Sequence, residues 1–144
     1  MRFNSLHEQP VIIRILLLTI GYYILAKISL TFGISYGNVS PLWLPAGLAA
    51  AAILRWGYTI LPGIWAGTTL AEFGTNLSPM SAFLLGCSTC FEAMVLYSLC
   101  QLFLQGSFSF TSPKKTFSFL GISALSGSAG ACIGVGILHF QGYV

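Results

Sequence analysis

Two acidic residues and one lysine stand inside long apolar stretches of this 144-residue sequence: Glu72, Glu92 and Lys27. A charged side chain is costly in hydrocarbon, so an ionisable residue within a membrane segment is first considered as a functional site. Such groups take part in proton transfer, ion binding or ligand binding. We therefore treat Glu92, Glu72 and Lys27 as candidate ligand-binding or sensing residues.

Lys27 and Glu72 are predicted to lie at matching depth. At 1.5 Å per helical residue, Lys27 is roughly 8 Å from the outer end of the first predicted helix, and Glu72 is roughly 6 Å from the outer end of the third. At these depths the two side chains can pair with each other. The alternative is that both extend to the lipid headgroups, which long side chains readily do.

Glu92 is predicted to lie near the middle of the bilayer, about 11 residues or roughly 16 Å from the outer end of its helix. Its side chain is too short to reach the headgroups from there, so it should face the bundle interior. We expect it to be protonated or hydrogen-bonded to hydroxyls such as that of Thr89. A structural polar contact and a ligand-linked or proton-linked sensing role are both consistent with this position.

Other residues match catalytic or metal-binding motifs but lack the structural context that these motifs require. Ser35 lies in a Gly-x-Ser-x-Gly segment, with Glu92 and His139 following in the order of a serine hydrolase triad, but that motif requires a preceding strand. Cys87 and Cys90 are spaced like a metal pair, yet zinc takes four ligands. His139 is expected to be an ordinary interfacial hydrogen-bonding residue. We predict no catalytic residue, no metal and no cofactor.

Composition defines the class of protein. Hydrophobic residues make up 56% of the sequence and charged residues 6%, with a mean hydropathy of +0.84, which indicates an integral membrane protein. The net charge of +3 is too small and scattered to suggest nucleic-acid binding. We predict an all-α polytopic bundle forming a single domain over residues 1–144. Its five transmembrane helices are expected at about 11–32, 41–56, 58–76, 79–104 and 113–140.

Proline and glycine are expected to break the second and third helices. Segment 41–56 is short, at roughly 24 Å, so it either crosses the membrane or is re-entrant. Trp43 suits the headgroup level, where its ring and N–H are both accommodated. Small residues on the third and fifth helices allow close packing or self-association into a homo-oligomer. The predicted helix-packing residues are Pro41, Pro45, Gly47, Pro62, Gly63, Gly67, Gly127, Gly130 and Gly134.

Basic residues predict the orientation. On the five-helix map, Arg2, Arg14, Arg55 and the Lys114–Lys115 pair all fall on one side of the membrane. Since positive residues concentrate in cytoplasmic loops, that side is expected to be cytoplasmic, together with the N-terminus.

Three segments resemble a known family. Gly37–Gly47, Leu61–Gly67 and Phe91–Ala93 are similar, in order, to motifs of the first membrane-associated sensor family (MASE, type 1), and the likeness runs from about residue 21 to residue 139. Asn38 and Trp43 belong to the first motif and join the candidate sensing residues. The family carries a Glu at the position of Glu92, whereas Glu72 stands where an amide such as Asn is expected.

The resemblance implies a sensory input module of the bacterial inner membrane, without catalysis, in contact with the lipid bilayer. Such modules serve histidine kinase, diguanylate cyclase or phosphodiesterase units, in the same chain or in a partner. Family members usually carry more than five helices, so we expect this sequence to be the first part of such a domain. The alternatives are a small transporter or channel subunit built around a midplane Glu, and a structural membrane subunit.

Overall fold

The structure is a computed structural model that describes residues 10–31, 43–75, 77–104 and 112–143. All regular structure in these ranges is helical, in agreement with the predicted fold class. The helices are α1 (Val11–Thr31), α2 (Leu44–Trp56), α3 (Leu61–Phe73), α4 (Pro79–Leu104) and α5 (Pro113–Phe140). A 3₁₀ turn, Gly57–Ile60, joins α2 to α3.

Four helical stretches are long and apolar enough to cross a membrane. They are Val11–Thr31, Leu44–Phe73, Pro79–Leu104 and Pro113–Phe140. The second stretch holds both α2 and α3, which have 13 residues each. Each of these two helices is about 20 Å long, less than the roughly 30 Å hydrocarbon core. By length and composition, the predicted five separate spans are therefore not confirmed.

The predicted proline breaks are not confirmed either. Pro45 and Pro62 lie in the first turns of α2 and α3, where a missing N–H costs no intrahelical hydrogen bond. Trp43 occupies the position before α2, and Pro41 lies outside the described residues. The α-helical stretch is interrupted at Gly57, between α2 and α3. The φ of Gly57 is +68°, in the left-handed region that favours glycine.

α3 runs parallel to α1. Thr19 Oγ1 donates to the carbonyl of Gly63 at 3.3 Å, and Lys27 Nζ donates to the carbonyl of Ala71 at 3.1 Å. The two residues of each pair are 44 apart in sequence, so residue numbers increase in the same direction along both helices. By the same offset, the 3₁₀ turn lies beside the first residues of α1, which it contacts.

α2 runs antiparallel to α1 and therefore opposite to α3. The N–H of Leu44 donates to Ser29 Oγ at 3.0 Å near the end of α1. Further into α2, Leu48 packs against Gly21, which lies earlier in α1. The chain thus reverses at the 3₁₀ turn, and the stretch Leu44–Phe73 folds back on itself.

α4 continues the alternation by packing antiparallel to α3. Cys90 Sγ donates to the carbonyl of Leu61 at 3.5 Å near the start of α3. One turn further along α3, Trp65 meets Phe83 edge to face, with ring centroids 5.2 Å apart. Residue numbers in α4 therefore decrease along the contact as those in α3 increase.

α5 packs antiparallel on α4. Ser88 Oγ donates to the carbonyl of Gly130 at 3.2 Å, and Ser81 Oγ donates to Gln141 Oε1 beyond the end of α5. The fifth-helix surface predicted for close packing faces α4 at its buried members, Ser126 and Gly130.

A polar junction joins the start of α4 to the end of α5. Ser78 Oγ accepts from the N–H of Ser81 at 3.2 Å and so caps the N-terminus of α4 before Pro79. The N–H of Ser78 donates to the Tyr143 hydroxyl at 2.9 Å. That hydrogen bond, from a backbone N–H, lowers the pKa of the Tyr143 phenol because it stabilises the charged form.

Two glycines of α3 allow its close approach to α1. A methyl group added at Gly67 would lie 2.7 Å from Tyr22 Cβ, and one added at Gly63 would lie 3.0 Å from the carbonyl oxygen of Ile15. Both predicted packing residues are therefore used within the chain. Gly47 is exposed, and a methyl group added there would have no atom within 4 Å, so it makes no close helix contact within the described part of the chain.

We predict that Gly67→Ala destabilises the bundle by about 1–3 kcal/mol, because the added methyl overlaps a Cβ atom fixed to the α1 backbone. Gly47→Ala is the matched control, since it gains the same helix propensity without a new contact. The free energy of unfolding is measured by SDS titration in mixed micelles. Equal stability of the two variants would contradict the close approach of α1 and α3.

Candidate functional site

Tyr22 lies at the meeting point of four helices. Its side chain has 0% exposure, although its hydroxyl requires a hydrogen-bonding partner when buried. The Trp43 indole N–H donates to this hydroxyl at 3.4 Å from the start of α2. Thr68 on α3 and Thr89 on α4 lie near the same hydroxyl. The phenol is thus surrounded by residues of α2, α3 and α4.

Glu92 packs against α5. Its side chain is half-buried, and a methyl group added at Gly130 would lie 2.5 Å from Glu92 Oε2 and 3.0 Å from Glu92 Cβ and Cδ. At Gly127 the added methyl would lie 3.8 Å from Glu92 Oε1. The thin surface of α5 therefore accommodates the carboxyl group. Gly134, one turn further on, faces Leu85 at 3.7 Å instead.

The predicted hydrogen bond between Thr89 and Glu92 is not formed. Thr89 Oγ1 donates instead to the carbonyl of Leu85 at 2.8 Å, a bond within its own helix. Glu92 lies three residues after Thr89 on α4, in the neighbourhood of Tyr22. We call Tyr22, Trp43, Thr68, Thr89 and Glu92 the central polar cluster.

Lys27 and Glu72 lie near each other at the C-terminal ends of α1 and α3. The Lys27 ammonium donates to the carbonyl of Ala71, and its nitrogen is 5.5 Å from the centroid of the Tyr23 ring. A cation at this position complements the negative end of the α3 dipole. Thr75 Oγ1 donates to the backbone carbonyl of Glu72 at 2.7 Å. The ammonium therefore binds a helix end, whereas the two predicted arrangements were pairing with Glu72 and extension to the lipid headgroups.

The remaining sequence candidates do not join these groups. His139 is exposed near the end of α5, which packs mainly on α4. Cys87 is exposed, and Cys90 donates to a backbone carbonyl. Among the described residues, no group of three or more His, Cys, Asp or Glu side chains is placed to hold a metal ion. Asn38 and Ser35 lie outside the described ranges.

Sequence reasoning missed Tyr22, Thr68 and the contact of Trp43 with the bundle interior. Trp43 was assigned to the headgroup level, but its N–H binds Tyr22. A signal was available, because a tyrosine near the middle of an apolar helix needs a hydroxyl partner from another helix. The partner itself could not be identified without knowing which helices meet there.

Together, the apolar helices and the buried polar cluster define a multi-pass, all-helical membrane protein. The MASE1 family model matches residues 14–144. The chain therefore belongs to this family of membrane-associated sensor domains, which confirms the resemblance seen in its motifs. No match to the chain is found among curated proteins or among solved structures.

We predict that Gly130→Ala costs roughly 1–3 kcal/mol of stability, because the new methyl displaces the Glu92 side chain. Gly136→Ala on the same helix meets no atom within 4 Å and is the control. The loss should shrink in a Glu92→Ala background, where the displaced carboxyl group is absent. The free energy of unfolding is measured for wild type, Gly130→Ala, Glu92→Ala and the double variant. An equal loss of stability in the two backgrounds would place the carboxyl group away from α5.

Proposed function

We propose that this chain is a membrane-embedded sensory input module without catalytic activity of its own. The observation that carries the proposal is the packing of Glu92 against Gly130, beside the buried Tyr22. Membership of a sensor-domain family supports it. In this proposal Glu92 is the principal sensing residue, and Glu72, Lys27, Trp43 and Asn38 are secondary candidates.

The mechanism follows from the close contact at Gly130. A change in the charge, hydrogen bonding or ligand contacts of Glu92 alters the volume and polarity that α5 must accommodate. Because packed helix interfaces switch between discrete arrangements, such a change is relayed as a shift of α5 on α4. We further propose that a histidine kinase or diguanylate cyclase output unit in the bacterial cytoplasm receives this shift, in the same chain or in a partner.

We also propose five membrane passes with the N-terminus in the cytoplasm. The alternating directions of α1, α2, α3, α4 and α5 support this topology. Arg55 near the end of α2 and the Lys114–Lys115 pair at the start of α5 then lie on the cytoplasmic side. Since α2 and α3 are short, the competing arrangement is a re-entrant hairpin whose turn stays within the membrane.

The position of the 3₁₀ turn separates these two topologies. In a background with the four native cysteines replaced by alanine, we predict that Thr59→Cys and Lys114→Cys react with a membrane-impermeant thiol reagent only from the cytoplasmic side. Leu77→Cys, between α3 and α4, should react only from outside. Labelling of Thr59→Cys from the outside would refute the topology. Protection of this residue from both sides would favour the re-entrant hairpin.

We predict that Glu92→Gln alters signalling output without altering solute flux, because it removes the charge but preserves the shape of the side chain. The cyclic-dinucleotide level and the phosphorelay output are measured in cells of the organism that encodes the chain. Ion flux is measured in vesicles that contain the full chain. Gln141→Asn, at the outer junction, is the control for an amide change away from the cluster. Loss of proton-coupled flux with unchanged signalling would instead indicate a transporter. A silent Glu92→Gln would indicate a structural subunit.

A further inference from the structure

Arg14 and Arg55 occupy matching positions on α1 and α2. Gly21 of α1 packs against Leu48 of α2, since a methyl group added at Gly21 would lie 3.3 Å from Leu48 Cδ2. Arg14 lies seven residues before Gly21, and Arg55 lies seven residues after Leu48. Seven residues are close to two helical turns, and the two helices run in opposite directions. Both arginines therefore stand on the facing sides of these helices, about 10 Å nearer the 3₁₀ turn than the Gly21 contact.

α1 and α2 are still neighbours at this level. The 3₁₀ turn that directly follows α2 contacts α1. Arg14 belongs to the first turn of α1, where its N–H donates to the carbonyl of Pro10 at 3.3 Å, and Arg55 belongs to the last turn of α2. Arg14 is half-buried and Arg55 is exposed, so the space between them opens at the surface of the bundle.

Two cations on facing sides of neighbouring helices repel each other. Arg55 complements the negative end of the α2 dipole, but Arg14 lies at the positive end of the α1 dipole, where a cation is unfavourable. An anion between the two side chains offsets the repulsion and the unfavourable position of Arg14.

The acidic side chains of the described residues lie elsewhere. Glu72 is at the end of α3 that is remote from the 3₁₀ turn, and Glu92 packs against α5. Glu8 lies outside the described ranges. An arginine has five N–H donors, so Arg14 can bind an anion in addition to the other contacts that it makes.

The residue after Arg55 offers a further donor. Within the described ranges, the Trp56 indole nitrogen is buried and has no hydrogen-bond partner. A buried N–H without an acceptor costs free energy. An anion bound beside Arg55 is a nearby source of the missing acceptor.

The orientation of the chain does not by itself explain the facing arginines. The preference for positive residues in cytoplasmic loops concerns how many lie on one side, and it does not require them to be aligned on neighbouring helices. Lys114 meets the same preference from the start of α5, which packs mainly on α4.

We propose that Arg14 and Arg55, together with the Trp56 indole N–H, bind a phosphate-bearing anion that bridges α1 and α2. Guanidinium groups bind phosphate oxygens through two parallel hydrogen bonds, so phosphate is the anion that suits this pair. At this end of the bundle it belongs either to an anionic lipid headgroup or to a free phosphate compound. The inference does not depend on a sensory role, and only the assignment of the site to the cytoplasmic surface rests on the proposed topology.

Isothermal titration calorimetry of the full chain in detergent micelles measures the binding. The probes are short-chain phosphatidylglycerol, inorganic phosphate and, for comparison, zwitterionic short-chain phosphatidylcholine. We expect Arg14→Gln and Arg55→Gln each to weaken binding of the anionic probe by about tenfold or more, because each removes charge-assisted hydrogen bonds. Trp56→Phe removes a neutral donor and should weaken binding by only about threefold.

Lys114→Gln is the matched control, because it removes one positive charge from the same predicted side of the membrane without touching α1 or α2. It should change the affinity by less than about twofold, since exposed charges act weakly on a distant site. If a glutamine variant fails to fold, the corresponding lysine variant keeps the charge but loses the planar fork, and it should bind about threefold more weakly than wild type. Equal losses in Lys114→Gln and in the arginine variants overturn the proposal, and so does wild-type affinity in the lysine variants.

The two anionic probes identify the source of the phosphate. Arginine-dependent binding of phosphatidylglycerol without binding of inorganic phosphate supports a lipid headgroup as the ligand. Arginine-dependent binding of inorganic phosphate supports a free phosphate compound. Equal affinity for phosphatidylglycerol and phosphatidylcholine, or no binding of either anionic probe, overturns the proposal.

Discussion

The arrangement of the first four helices depends on the packing of Tyr22 against Gly67. Lipid offers no hydrophobic driving force between helices, so close packing and internal hydrogen bonds must hold them together. Gly67 lets the α1 and α3 backbones approach, with Tyr22 Cβ directly over the glycine. At the other end of the same side chain, the hydroxyl accepts from the Trp43 indole N–H and lies near Thr68 and Thr89. A single residue thus provides both kinds of contact.

α5 is attached in a different way. It packs mainly on α4, through Ser88 and Gly130 near its middle and through Gln141 just beyond its C-terminal end. Glu92 is the acidic group within this interface. A change at Glu92 therefore acts on one helix pair, whereas a change at Tyr22 acts on several.

The sequence predicted much of this fold because several helix limits are encoded locally. The Ser-Pro pairs at 78–79 and 112–113 set the starts of α4 and α5, and the observed ranges coincide with the predicted ones. The reversal at Gly57 was placed correctly between two segments, but α2 begins at Leu44, later than its Ser-Pro pair suggested. Proline is tolerated throughout the first turn, so its presence there does not fix which residue begins a helix.

The site was less predictable because its partners come from different helices. Glu92 was identifiable from depth alone, and the thin face of α5 from its spacing, but nothing in the sequence showed that the glycines of that face lie over the carboxyl group. Tyr22 was missed for the same reason. Its hydroxyl could have met any helix, and only the parallel run of α1 and α3 brings Thr68 to it.

The difference between Lys27 and Glu92 shows why depth matters for function. Lys27 lies beside the end of α3, where carbonyls lack intrahelical partners, so a backbone oxygen satisfies its ammonium. Glu92 lies in the middle of α4, beside the middle of α5, where backbone N–H groups are already bonded within their helices. Its carboxyl group must therefore rely on side chains, on a proton or on a ligand, and each of these can change while the helices stay intact. A charge bound at a helix end is a fixed structural contact, whereas a carboxyl group at mid-helix is free to respond to a stimulus.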